Sequence, residues 1–237
     1  MTPEDLVQLL KKACPEGLHS VILYGSAAAG DHAGKRSDYN VLVVAEALDL
    51  DVLKALQAPA AAWEKAGNPS PLLFTIDRLK QAADVFPIEL LDIRDCHEVL
   101  WGADVIPDLD IRTSALRLQL EHELRSKLIT LRQQYLLTRG KPRQVADLMV
   151  ESVSTFLVLF RAALRLFERE VPAKKLAALE RLREHIGFES GVFQTIDGLK
   201  RGVVRRGDLD VDDVFGTYLK TVEMVIDAVD AAMKKGE

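Results

Sequence analysis

Near residue 110 the apolar pattern of this chain changes its period. Before that point, short β-prone runs alternate with helix-like runs. The β-prone runs are 20–24, 38–44, 71–76 and 87–93. From Arg112 onward strand signal is sparse. Leu116, Leu120, Leu124, Leu128 and Leu131 recur at helical spacing, and Val145, Met149, Val153, Phe156, Phe160, Ala163 and Phe167 do the same. A chain patterned this way has strands for a sheet only in its first half. The expected class is α+β: an α/β domain with a mixed sheet over 1–108, then an all-α helical bundle over 109–237.

Charge follows the same division. Residues 1–110 carry 9 Lys/Arg and 18 Asp/Glu, a net of −9, and residues 111–237 carry 22 and 18, a net of +4. The overall charge of −5 argues against a protein that coats nucleic acid nonspecifically. A hydrophobic content of 48% supplies enough apolar material for real cores and excludes intrinsic disorder as the reading. Cys14 and Cys96 are too few for a disulfide framework or a structural zinc site, which fits a reducing compartment. The start, Met1-Thr2-Pro3-Glu4-Asp5, lacks a basic signal-peptide opening, and no segment reaches the roughly 20 apolar residues of a membrane span. A cytoplasmic protein is expected.

Local signals place the elements. Thr2 reads as an N-cap with Pro3 in the first helical position, and Pro15 and Gly17 stop that helix near Cys14. Residues 49–66 are helical in character, with Pro59 as the expected break. Asp77 is placed to cap a short helix through Ala83, and 87–93 reads as a fourth strand. Gly140-Lys141-Pro142 separates two long helices, and further helices are expected over 173–186, 191–201 and 211–234.

The segment that carries chemistry runs from Leu23-Tyr24-Gly25-Ser26 to Ser37-Asp38-Tyr39-Asn40. Gly25 lets backbone approach a ligand with no Cβ in the way. Free N–H groups and the Ser26 hydroxyl suit a phosphate if a helix starts there. Asp38 and Asn40, two apart on a strand, share a face, and two oxygen ligands side by side suit a hard cation such as Mg²⁺.

This pattern resembles the nucleotidyltransferase superfamily typified by DNA polymerase β, in particular its small bacterial and antibiotic-modifying members. The resemblance spans roughly 19–93 and implies that Gly25, Ser26 and Ser37 hold the triphosphate of an NTP. It also implies that carboxylates bind Mg²⁺ or Mn²⁺ and align an acceptor hydroxyl with the α-phosphate. Asp38 is then a metal ligand and catalytic carboxylate. A third carboxylate belongs on a later strand. Glu89 and Asp92, three apart, would face opposite sides there, so only one can point into the cleft. Glu89 is favoured because an acidic residue near the start of this strand matches the family pattern better. Asn40 departs from the superfamily pattern, since a neutral amide stands where the second carboxylate belongs. The alternative is therefore a catalytically silent nucleotide-binding or regulatory protein with the same fold. In such families a helical domain often helps bind the acceptor, here a small molecule or protein not fixed by sequence. Self-association through the helical half is a further option.

Other candidates read as structural. Gly25 to Gly30 has P-loop spacing, but Asp31 replaces the lysine, and no G-x-G-x-x-G follows a strand. Asp95-Cys96-His97-Glu98 lacks a second Cys/His pair and reads as structural or solvated. Glu121 with Arg117 and Arg125 reads as an exposed ladder, and the basic stretch 200–207 as a solvated loop between helices. Glu121 and Glu151 are unassigned candidates for a general base. Arg181 and His185 do not match the Arg-x4-His ribonuclease motif found in some helical partners of small nucleotidyltransferases.

Overall fold

The computed structural model describes residues 1–25, 27–28 and 39–232. Two compact units divide the chain, Met1–Arg112 and Thr113–Glu237.

The first unit is built on a four-stranded sheet: β1 (Leu18–Tyr24), β2 (Asn40–Ala45), β3 (Leu72–Thr75) and β4 (His97–Gly102). Their spatial order is β3-β2-β1-β4. β1 pairs antiparallel with β2 and β4, while β2 and β3 run parallel, so the sheet is mixed. The period of two sorts the strands' side chains onto two faces. Val21, Leu23, Val41 and Val43 join the core beneath α1 (Pro3–Ala13) and α2 (Leu50–Lys65). Ile22, Leu42 and Val44 join the opposite core, with residues of α3 (Ile76–Gln81), a 3-10 turn at Ala82–Asp84, and α4 (Pro87–Asp95).

The first helix starts as expected. Asp5 N–H donates to Thr2 Oγ1 at 3.2 Å and Thr2 N–H donates to Asp5 Oδ2 at 2.9 Å, which closes a capping box. Three local expectations are corrected. Pro59 does not break α2, which runs through it. Leu56, Pro59 and Trp63 are all buried, so core packing outweighs the missing N–H. Thr75, not Asp77, caps α3, its hydroxyl accepting from Arg78 N–H at 3.3 Å. The run 87–93 is not a strand but α4. Ile88 and Leu90 alternate as a strand would, but Pro87 at the first helical turn favours a helix start, and Leu90 and Ile93 are buried at helical spacing. The fourth strand follows it at His97–Gly102.

The second unit is helical among its described residues: α5 (Thr113–Thr138), α6 (Pro142–Leu164), α7 (Lys175–Ile186), α8 (Gly191–Lys200) and α9 (Val211–Ala231). Every leucine of the expected α5 stripe is buried. So are Val145, Met149, Val153, Phe156, Phe160 and Ala163 of α6, whereas Phe167 lies beyond that helix and stacks on His185 at 5.3 Å. Tyr218 is sealed inside this core with its hydroxyl 3.0 Å from Ser152 Oγ, and burial pushes the phenol up. No described helix is long and apolar enough to cross a membrane.

The segment after α6 is clasped to α7 by Glu168. His185 Nε2 lies 2.7 Å from its Oε1, and the Arg181 guanidinium pairs with its other oxygen. The hydrogen bond from His185 is the main cause that holds this carboxyl below the usual range, aided by the charge of Arg181 and opposed by partial burial. A lowered folded value means that the clasp contributes above the ordinary glutamate range, near pH ~4.3, and is lost as pH falls through the folded value. The stability difference between wild type and Glu168→Gln in urea denaturation should therefore be full above the ordinary glutamate range and shrink steadily as pH falls below it. A gap that stays constant across that range would refute this account.

Candidate functional site

Strand pairing sets the site. Tyr24, the last residue of β1, pairs with Asn40, the first of β2, on one side and with His97, the first of β4, on the other. The chain leaves β1 through Gly25 at φ +80°, a conformation that strains any residue with a Cβ. A Cβ there would sit 3.4 Å from Asn40 Nδ2, ordinary contact, so backbone conformation and not crowding calls for glycine. Gly25 N–H donates to the Cys96 carbonyl at 3.2 Å, tying the turn to the α4–β4 junction.

The start of β2 is fixed from the other face. Tyr39 N–H donates to Asn68 Oδ1 at 3.1 Å, and the Tyr39 ring packs on the buried Trp63 with centroids 6.0 Å apart. Alternation then puts half-buried Asn40 on the face of Leu42 and Val44. Tyr24 packs against the same core, and burial raises its hydroxyl pKa above the ordinary value. His97 is held by Ile93, whose carbonyl oxygen lies 3.0 Å from Nδ1, and by Asp104, whose two carboxylate oxygens each lie 3.2 Å from Nε2.

Of the expected site residues, Gly25 and Asn40 stand side by side at this corner. Ser26, Ser37 and Asp38 lie outside the described residues. Glu89 is exposed on α4, which packs on the same sheet face as Asn40, and not on a strand as expected. The strand argument separating Glu89 from Asp92 therefore fails. On a helix, residues three apart share a face. His97, read from sequence as structural or solvated, is held by Ile93 and Asp104 and is placed beside the corner by β4. Only its pairing with a strand far away in sequence reveals this.

Among the described residues no group of three His, Cys, Asp or Glu side chains is arranged to hold a metal. The donors on this face, the Asn40 amide and the Glu89 carboxylate, are hard oxygens, a chemistry suited to Mg²⁺ or Mn²⁺. A separate cleft of about 330 Å³ opens at the opposite end of the sheet, between the Leu18, Ala45 and Thr75 ends of the strands. None of the motif residues lines it.

No known family profile matches the sequence, and neither does any curated protein. Among solved structures, the spectinomycin adenyltransferase of Enterococcus faecialis, determined with ATP and spectinomycin, matches with a TM-score of 0.54 at 12% identity. That match covers 98% of both chains. A toxin–antitoxin structure with AMP-PNP shows a slighter likeness, with a TM-score of 0.35 at 20% identity over 53% of this chain and 94% of that one. The match that spans the chain, with its mixed sheet and helical C-terminal region, establishes a nucleotidyltransferase-like fold.

Proposed function

We propose that this protein transfers a nucleoside monophosphate from an NTP to a hydroxyl group of an acceptor. The observation that carries the reading is the corner itself. A glycine turn at positive φ ends β1 directly beside the first residue of β2, in a nucleotidyltransferase-like fold. Gly25, Ser26 and Ser37 would hold the triphosphate, Gly25 by allowing backbone N–H groups to approach it. Asp38, Asn40 and Glu89 would hold a divalent cation, with Asp38 and Glu89 as the catalytic carboxylates. When bound, that cation supplies charge stabilisation to the transferring phosphoryl group. The acceptor oxygen bonds the α-phosphorus, the α–β bridging bond breaks, pyrophosphate leaves with the electron pair, and the hydroxyl proton is released. The helical unit would bind the acceptor, a small molecule or a protein. The match to an adenyltransferase solved with ATP makes ATP the first nucleotide to test.

Thermal-shift titration with each NTP, with and without Mg²⁺ or Mn²⁺, tests the reading. A nucleotide present at about 100 times its Kd adds about 2.7 kcal/mol to stability, a shift of several degrees. Absence of a shift with all four NTPs would defeat it.

A silent nucleotide-binding or regulatory protein is the second reading, and Asn40 is its specific support. A unit charge about 4 Å from another is worth about 4 kcal/mol at an effective dielectric near 20, and the amide forgoes that attraction to a cation. Asn40→Asp should tighten metal-dependent nucleotide binding at least about tenfold. New transfer activity in Asn40→Asp would show that the second carboxylate was the missing part. Tighter binding without transfer would favour the silent reading.

A further inference from the structure

The face of the sheet that carries Asn40 also carries a pocket. It is a cavity of about 260 Å³, walled by Leu42, Leu72 and Phe74 from β2 and β3, by Ala82 of the 3-10 turn, by Phe86 just before α4 and by Leu90 of α4. Ile93 completes it, and Glu89 is its single charged lining residue. We propose that this pocket binds the aromatic or branched-alkyl part of a small molecule.

Size and chemistry carry the proposal. A dry apolar cavity of about 150 Å³ takes up benzene, so this one has room for a bicyclic ring. Seven of its eight lining side chains are pure hydrocarbon, and a polyol seated there would leave hydroxyls unpaired. Leu72, Val85 and Phe86 stay 39%, 56% and 47% exposed in this part of the unit, and Leu72 and Phe86 belong to the wall. Exposed apolar groups gathered around an apolar cavity mark a binding groove and not scattered surface. Leu42 follows Asn40 by two positions on one strand face, about 7 Å along the strand. An apolar group in the pocket thus lies next to the corner. Its identity as part of the acceptor rests on the transfer reading, but its binding does not.

Fluorescence titration of the full chain with 2-naphthol tests this, with sorbitol as the polyol control. Saturable one-to-one binding of naphthol and none of sorbitol is expected. Ala82→Phe, which fills the cavity, and Phe86→Ser, which removes an exposed wall, should each weaken it at least tenfold. Circular dichroism checks that both variants fold, and Phe86→Ser keeps the test decisive if Ala82→Phe does not. No saturable binding, or binding unchanged in Phe86→Ser, overturns the proposal. If naphthol fails and light scattering finds a dimer, the face belongs to a second copy instead. A parallel ATP titration separates the two readings. Naphthol bound without ATP leaves the pocket standing and removes the transfer reading, and ATP bound without naphthol does the reverse.

Discussion

Gly102→Ala is expected to destabilise the N-terminal unit by more than about 3 kcal/mol and to loosen the hold of β4 on β1. Two costs combine. Gly102 has φ +83°, which costs a residue with a Cβ about 1–2 kcal/mol. The added Cβ would also fall 2.1 Å from the His19 carbonyl oxygen and 3.0 Å from Ser20 Cα, both backbone atoms that cannot rotate away. The strand end must therefore move. The neighbouring Ser20 is fully buried, and its hydroxyl donates to the Ala103 carbonyl at 2.6 Å, a bond that the same shift would stretch. Urea denaturation followed by circular dichroism measures the loss, and hydrogen exchange at Val21 and Ile22 should rise with it. A loss below about 1 kcal/mol would mean that the strand end yields freely.

Phe160→Ala should cost the helical unit about 3–5 kcal/mol. Phe160 is fully buried on α6, and its ring centroid lies 5.4 Å from Phe193, 6.2 Å from Phe156 and 6.3 Å from Phe188. Phe193 and Phe156 in turn contact Tyr218 edge-on at 5.3 and 5.7 Å. Truncation leaves a cavity at the centre of this aromatic set, ringed by stiff side chains from α6, α8, α9 and the turn after α7 that collapse poorly into it. Phe160→Leu keeps more of the volume and should cost less than half as much. Equal losses for the two variants would show that ring geometry, and not volume, holds the cluster.

Much of this fold is visible in residue pattern because its cores are regular. The leucines of α5 and the apolar face of α6 are buried as their spacing requires, and Thr2-Pro3 announces α1. Misreadings fall where two periods fit the same residues. Pro87 to Ile93 suits a strand by alternation and a helix by its proline start, and a packed helix wins. β4 is half-exposed on an edge, and its apolar run is only Val99-Leu100-Trp101, opened by the polar His97-Glu98, so it is too short to announce a strand. At the site, the adjacency of Gly25 and Asn40 follows from two strands joined by one loop. His97 arrives through the β1–β4 pairing, which no local spacing encodes.

The strand order has a kinetic consequence. Tyr24 meets Asn40 sixteen residues further along the chain, but meets His97 only after seventy-three. Closing the longer loop costs roughly 1.3 kcal/mol more in chain entropy. The β1–β2 hairpin is therefore expected to assemble before β4 docks and to carry the Gly25–Asn40 corner with it. During folding the corner exists first with one side unguarded. The long return of the chain through α3 and α4 supplies the second wall, so the rate at which β4 arrives limits how soon that corner becomes rigid.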